Sequence, residues 1–183
     1  MSKVLIFAGA NGAGKTTFAK GILEPGMKFI NADDIQREER LSDIDAGQKA
    51  LSLIDLSIPR KGNFAFETTM AGLGLDKRLI RLKKLKYFIV IFYLFVYPKE
   101  LLVERIKERL KKGGHPVPER DVIRRYRRSL QNFWGKYRLY AEEWNIICNN
   151  ELEAKTIVVG NRDRFQILDK YEFNVFEEVL KNV

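Results

Sequence analysis

The sequence predicts an α/β fold with a mostly parallel sheet covered by helices on both faces. Two observations carry this. Short apolar runs alternate with amphipathic helical stretches along the chain, the order of repeated strand–helix units. The first such unit contains Gly9-Ala10-Asn11-Gly12-Ala13-Gly14-Lys15-Thr16, which fits G-x-x-x-x-G-K-S/T at every fixed position. Its context is right as well: the apolar run Val4–Ala8 reads as a buried strand, and Thr17-Phe18-Ala19-Lys20 continues as a helix. A strand, a glycine-rich turn and a helix N-terminus form a phosphate cradle.

The remaining elements follow in order. Met27–Asn31 is a short strand. Asp43 to Ile58 reads as a helix with Ile44, Leu51, Ile54 and Ile58 near one face. Asn63–Glu67 is the next strand, Leu75 to Leu85 an amphipathic helix, and Phe88 to Val96 a long strand. The apolar run from Tyr87 to Tyr97 is β-branched, aromatic and stopped by Pro98. It suits a central strand buried on both faces and is too short to span a bilayer as a helix. Lys99 to Leu110 is a helix with Leu102, Ile106 and Leu110 at i, i+4 and i+8. Two glycines and two prolines break the pattern from Lys111 to Pro118, and Glu119 to Tyr140 reads as one long helix. Its apolar side carries Val122, Ile123, Tyr126, Leu130, Phe133 and Tyr137. Asn145–Asn149 is a strand, Lys155 to Leu168 a strand pair turned at Gly160-Asn161-Arg162-Asp163, and Tyr171 to Leu180 a closing helix. No repeat or linker divides the chain, so residues 1–183 are expected to form one domain. Residues 105–120 would be its lid region, and 154–183 a C-terminal strand pair and helix.

The chain has 183 residues, 45% hydrophobic and 31% charged, with a net charge of +9. That size allows a full core, and the charge suits an anionic partner such as a nucleotide or a nucleic acid, or a generally basic, soluble surface. Cys148 is the only cysteine, so no internal disulfide forms. An intracellular, cytoplasmic setting is expected. The first strand begins almost at the initial Met, so no signal peptide is expected.

A phosphate loop alone does not specify the reaction. No N-K-x-D segment is present for a GTPase, and the long strand has no acidic end of the kind a remodelling or transport ATPase carries. A small-molecule kinase needs a base near the acceptor hydroxyl, cations around the transferring phosphoryl and a lid. Lys15 would reach the β- and γ-phosphates of ATP, and the Thr16 hydroxyl would ligate Mg²⁺. Gly9 to Thr17 is the nucleotide-binding stretch, including Ala10, Asn11, Gly12, Ala13, Gly14 and Thr17. Asn31, Asp33 and Asp34 could each cap the following helix; Asp34 is the expected cap, while Asp33, just past the second strand, is placed to accept the hydroxyl proton. Glu67, Thr68 and Thr69 at the third strand end could bind the acceptor or cap the turn that follows. Arg105 and Arg109 share one side of a helix and could stabilise the phosphoryl charge or pair with Glu104 and Glu108 at the surface. His115, the only histidine, lies in Gly113–Pro118 and could orient substrate or be a hydrogen-bonded loop residue. One histidine and one cysteine cannot make a zinc site. Arg120, Arg124 and Arg128 repeat at i, i+4 and i+8, with Arg125 and Arg127 beside them. This basic face suits a diphosphate or a nucleic-acid backbone, or is simply solvated.

The ordered segments G-A-N-G-A-G-K-T-T, F-I-N-A-D-D-I, F-E-T-T, R-x-x-x-R-x-x-x-G-G-H-x-V-P and I-x-x-R-Y-x-x-S-L-x-N-F resemble the zeta toxin family of P-loop kinases over residues 4 to 133. The resemblance implies a three-layer α/β/α P-loop fold, nucleoside-kinase-like, with a helical lid. It implies transfer of the γ-phosphoryl of ATP to the 3′-hydroxyl of UDP-N-acetylglucosamine, and an antitoxin as possible partner. By match, Lys15 and Thr16 take the nucleotide and Mg²⁺ roles and Asp33 the acceptor-side base. Glu67 and Thr69 match the substrate-side positions, and either Arg105 or Arg109 the phosphate-contacting arginine. A second family arginine falls near Gly114 and His115, where this chain has none, so Arg109 or Arg120 would substitute. A D-N-S-like element of short relatives reads Cys148-Asn149-Asn150 here. A kinase acting on nucleic-acid ends and a nucleotide-dependent binding module are the rival readings. Neither has a motif of its own in this chain, and a membrane role has no support.

Overall fold

The order of strands and their spacing make the site, so the sheet comes first. In a computed structural model, residues 1–72, 74–111, 117–150 and 153–183 are described. The elements run β1 (Lys3–Ala8), α1 (Lys15–Ile22), β2 (Lys28–Ile30), α2 (Ala32–Glu39), α3 (Asp43–Ser57), β3 (Phe64–Thr68), α4 (Leu75–Lys84) and β4 (Phe88–Phe95). Then come α5 (Glu100–Lys111), α6 (Glu119–Gly135), β5 (Glu143–Cys148), β6 (Lys155–Asn161), β7 (Arg164–Ile167) and α7 (Lys170–Lys181). The sheet has seven strands in the order β2-β3-β1-β4-β5-β6-β7. Strands β2, β3, β1, β4 and β5 are parallel, while β6 and β7 add an antiparallel edge. This is the mostly parallel P-loop architecture that the strand–helix alternation predicts.

Strand β1 shows why both faces are covered. Val4, Ile6 and Ala8 pack into one core cluster, and Leu5 and Phe7 into a second, because successive side chains of a strand point to opposite faces. Phe18 and Ala19 of α1 close over the second cluster. Pairing registers Ala8 with Thr68 and with Tyr93, Phe7 with Glu67, and Ile30 with Phe66. The carboxyl ends of β1, β2 and β3 are therefore level, and Asn31, Glu67 and the loop after Ala8 open on one edge. In β4, Tyr93 is buried, donates to Ser129 Oγ at 3.0 Å and stacks on Phe133 at 4.2 Å between centroids.

The C-terminal strands are tied in by aromatic rings. Trp134 lies within 6 Å, ring to ring, of Trp144, Phe165, Phe173 and Phe176. Trp144 is fully buried, and its indole N–H donates to the Arg162 carbonyl at 2.9 Å.

Four sequence expectations need correction. The buried face of α3 is Ala46, Ala50, Ile54 and Ser57, whereas Ile44 is 73% exposed and Leu51 44%. Small residues let α3 lie close, and the row through Ile44 and Leu51 falls off that face. In α5, Leu102 and Ile106 are buried but Leu110, in the last turn, is exposed. Helix α6 stops at Gly135 and a 3-10 turn, Tyr137–Tyr140, follows, consistent with glycine's weak helix propensity. Tyr137 nonetheless stays buried. The cap of α2 is Asn31, whose side chain accepts from Asp33 N at 2.9 Å, while Asp34 pairs with Arg37. His115 and the glycines of its loop lie outside the described residues, as do residues 112–116 of the expected lid.

A Cβ on Gly160 would lie 2.2 Å from Trp144 Cζ2 and 2.8 Å from the Arg164 carbonyl. Gly160→Ala should therefore cost about 1–3 kcal/mol, a fall of several degrees in Tm by thermal unfolding. Gly62→Ala, with open space around it, should leave Tm nearly unchanged. Equal Tm values for the two variants would contradict the packing described.

Candidate functional site

The loop between β1 and α1 is shaped by backbone contacts that exclude side chains. Gly9, Gly12 and Gly14 have φ of +136°, +82° and +85°, which favours glycine. A Cβ on Gly9 would meet the Leu94 carbonyl at 2.5 Å, one on Gly12 the Leu102 carbonyl at 2.8 Å, and one on Gly14 the Asn149 amide at 2.4 Å. Helix α1 begins at Lys15 with no side-chain cap and no acid in its first turn. Its leading N–H groups are thus left for an anion.

Lys15 Nζ donates to the Ala10 carbonyl at 2.9 Å, inside the loop. Burial lowers its pKa, against the opposing pull of Glu67 and then Asp33. Burial also raises the pKa of Glu67, opposed first by Lys15 and then by a hydrogen bond with Thr16. Asn31 ties these groups together. It is 4% exposed, and its Nδ2 reaches Thr16 Oγ1 and Glu67 Oε1, both at 3.4 Å. Asn31 thus caps α2 with its oxygen and links the ends of β2 and β3 to the loop with its nitrogen.

Asp33 and Arg109 meet across the mouth of the site, with Arg109 Nη1 3.0 Å from Asp33 Oδ2. Arg105, one turn earlier on α5, donates instead to the carbonyls of Asn149 and Asn150 at 2.8 and 3.0 Å. Asn149 Nδ2 in turn donates to the Ala13 carbonyl at 2.8 Å. The Cys148-Asn149-Asn150 element therefore buckles the loop to β5 and α5.

A cavity of about 420 Å³ opens beside these groups, within the range of small-ligand pockets. Its loop side carries Asn11, Lys15, Asp33, Glu67, Arg109 and Arg125, and its other wall Ala46, Gly47, Ala50, Leu51 and Ile54 of α3. Thr68 and Thr69 line it as well. Their hydroxyls also accept from Met70 N and Ala71 N at 3.0 and 3.4 Å, which is the turn reading of these threonines. Gly9 to Thr16 form the loop, with Thr17 exposed at its outer side. Arg105 and Arg120 do not line the cavity, and Arg120 is exposed.

The sequence marks Arg125 and Asn149 only as part of a basic face and of a three-residue element, without a place of their own in the site. Arg125, within the arginine-rich run of α6, reaches the loop and donates to Asn11 Oδ1 at 3.3 Å. Its signal was present: it flanks the buried positions Val122 and Tyr126, while Arg124, Arg127 and Arg128 are exposed. Asn149 acts across 136 residues of sequence and had no local signal.

The arrangement can hold a polyanion against the loop and Lys15, with Arg109 and Arg125 above it and a carboxylate at its edge. No group of three His, Cys, Asp or Glu suited to a metal occurs among the described residues. Nor, among them, is any helix long and apolar enough to cross a membrane.

Comparison with known proteins agrees with this fold. A protein of Haemophilus influenzae (strain ATCC 51907 / DSM 11121 / KW20 / Rd), described as uncharacterized, is 32% identical over 130 residues, covering 68% of this chain and 93% of its own. The AvrRxo1-ORF1:-ORF2 structure with ATP superposes at a TM-score of 0.70 and 12% identity, covering 98% of this chain. The chain spans 64% of that neighbour's length. The structure from the PezAT chromosomal toxin-antitoxin system of Streptococcus pneumoniae superposes at 0.57 and 14% identity, covering 100% of this chain and 87% of that one. Residues 4–133 match the model of the AAA domain family AAA_33, and the chain belongs to that family, with its P-loop kinase-like fold.

Proposed function

We propose that this chain transfers the γ-phosphoryl group of ATP to a hydroxyl of a small acceptor. The observation that carries the reading is the convergence of Lys15, Arg109 and Asp33 on one cavity beside the phosphate loop. ATP would lie with its phosphates against the N–H groups from Gly12 to Thr17, and Lys15 would exchange the Ala10 carbonyl for phosphate oxygens. The Thr16 hydroxyl and the Glu67 carboxylate beside it form an all-oxygen set that suits Mg²⁺. When bound there, the ion would neutralise charge between the β- and γ-phosphates. The acceptor oxygen forms a bond to the γ-phosphorus, the bond to the bridging oxygen of ADP breaks, and the hydroxyl proton passes to Asp33. Lys15, Arg109 and Arg125 hold the charge on the moving group, as fixed cations do best where water is excluded.

Resemblance to the zeta toxins supports UDP-N-acetylglucosamine as the acceptor and an antitoxin-like protein as partner. A neighbour from a toxin-antitoxin system and another solved with a second protein and ATP share the fold. ATP and UDP-N-acetylglucosamine are cytoplasmic molecules, which supports a cytoplasmic setting for the chain.

Label transfer from γ-labelled ATP tests this directly. Lys15→Ala should abolish transfer to UDP-N-acetylglucosamine. Asp33→Asn should retain ATP binding while kcat falls by roughly 10²–10⁴-fold. Full transfer by the Asp33 variant would remove it as the base.

The two arginines of α5 should separate by readout. Arg109→Ala should lower kcat by about 10²-fold with little change in Tm. Arg105→Ala loses two charged hydrogen bonds to backbone carbonyls, worth about 1.5–3 kcal/mol each in the general case, and should lower Tm first. A reversed pattern would exchange their roles.

Glu67 and Lys15 make a pH-dependent pair. Burial raises Glu67 and Lys15 holds it down, so in Lys15→Met the Glu67 carboxyl should titrate at higher pH than in wild type. A raised folded-state pKa stabilises only while the proton is bound. The variant should therefore lose stability relative to wild type as pH rises from the ordinary carboxylate range through the new midpoint. Carboxyl carbon shifts of Glu67 and Tm against pH read both effects, and an unchanged or lower midpoint would contradict the pairing.

A further inference from the structure

Helix α6 runs from the phosphate loop to the loop after β3, and it carries a row of polar side chains beside its apolar stripe. Arg125, Ser129 and Asn132 stand at i, i+4 and i+7, so they share one face. Each bonds to a different part of the site. Arg125 Nη1 donates to Asn11 Oδ1 in the phosphate loop at 3.3 Å. Ser129 is fully buried, and its Oγ accepts from the Tyr93 hydroxyl of β4 at 3.0 Å. About 10 Å along the axis from Arg125, Asn132 Nδ2 donates to the Met70 carbonyl at 2.7 Å. Just past the helix, the Tyr137 hydroxyl donates to the Gly72 carbonyl at 2.8 Å. Burial pushes the Tyr137 hydroxyl up to about 12, so it keeps its proton at neutral pH.

The loop held in this way is one that needs holding. Met70 is 1% exposed with φ of +54°, a left-handed conformation that is costly for a residue with a side chain. The Thr68 and Thr69 hydroxyls accept from Met70 N and Ala71 N. Each hydroxyl so occupied keeps its own O–H to donate, and both threonines line the cavity. The direction of those two donors depends on the turn at Met70. Asn132 fastens that turn to α6, and Tyr137 fastens it to the turn that follows α6.

We infer that Asn132 and Tyr137 are positioning residues: through them α6 orders the Thr68–Gly72 loop for the acceptor when nucleotide occupies the phosphate loop. A phosphate oxygen is a stronger acceptor for Arg125 than the Asn11 amide. Arg125 held by phosphate restrains α6, and α6 restrains the loop, so the acceptor meets a loop that is already ordered. The two ligands therefore bind with positive coupling. This rests on the phosphotransferase reading and adds how its two subsites are joined.

The test is amide hydrogen exchange at Met70 and Ala71, with and without a saturating non-hydrolysable ATP analogue and Mg²⁺, and with no acceptor present. Wild type should gain about tenfold in protection when the analogue binds, within the usual range of coupling between sites. Asn132→Leu keeps the size and loses the donor, so it should bind the analogue as wild type does and gain less than about twofold. Tyr137→Phe removes one hydroxyl and keeps the packing. It should lose most of the gain as well, which guards against poor folding of the Asn132 variant. Arg125→Gln should lose the gain at saturating analogue, whereas Arg124→Gln, on the exposed side of the same helix, should keep it. A merely structural role predicts equal protection with and without the analogue. The coupling is overturned if bound analogue leaves wild-type protection unchanged, or if Asn132→Leu and Tyr137→Phe keep the full gain. Either result leaves the transfer reading intact. Failure of the analogue to bind wild type would overturn both.

Discussion

The rest of the site depends on how tightly the phosphate loop is closed against its neighbours. Gly9 lies against the end of β4, Gly12 against α5, and Gly14 against the Asn149 side chain, each too near for a Cβ. Asn149 then donates to the Ala13 carbonyl, and its own carbonyl accepts from Arg105. This clasp fixes α5 relative to the loop. Four residues on, one helical turn or about 6 Å along the axis, Arg109 leaves the same side of α5 and reaches Asp33. The position of the proposed phosphoryl-binding arginine is thus a consequence of loop packing. Asn149 thus does structural duty for the loop.

Charge in the cavity alternates in a way that suits transfer. Lys15 lies half-buried beside Glu67, with Asp33 at the open edge, and burial shifts Lys15 and Glu67 each in the direction that disfavours its charge. Groups so placed hold their charges mainly through one another, so a bound polyanion at the loop and a hydroxyl at Asp33 fit a setting already arranged around them. Arg125 extends the cationic side from α6. Arg78 lies at the other wall, beyond the small residues of α3. Between them the cavity has two positive sides and an apolar floor.

Much of this was legible in the chain. The loop motif has a local cause, since each glycine and the lysine do their work within eight residues, and the strand ends are marked by apolar runs. Asp33 was legible because it follows a strand end directly. What could not be read has physical reasons. Arg105 and Arg109 share one helix side, and only the carbonyls of Asn149 and Asn150 decide between them. The helical period of α3 was misjudged because its buried face is built from alanines, which carry little hydrophobic signal, while Ile44 and Leu51 stay open. Arg125 was visible only as the arginine nearest the buried stripe of a run that is otherwise solvated. Arg78 gave no sign, because its pairing with Asp55 and its place in the cavity lining arise only where α3 and α4 meet in the fold.

The most direct test of the account is a crystal structure with a non-hydrolysable ATP analogue and Mg²⁺. The account predicts the terminal phosphate on the loop between Lys15 and Arg109, with the Asp33 carboxylate facing the cavity and room for an acceptor oxygen about 3–3.5 Å from the γ-phosphorus. A terminal phosphate turned away from Asp33, or one that leaves the cavity on the far side of the nucleotide, would contradict it.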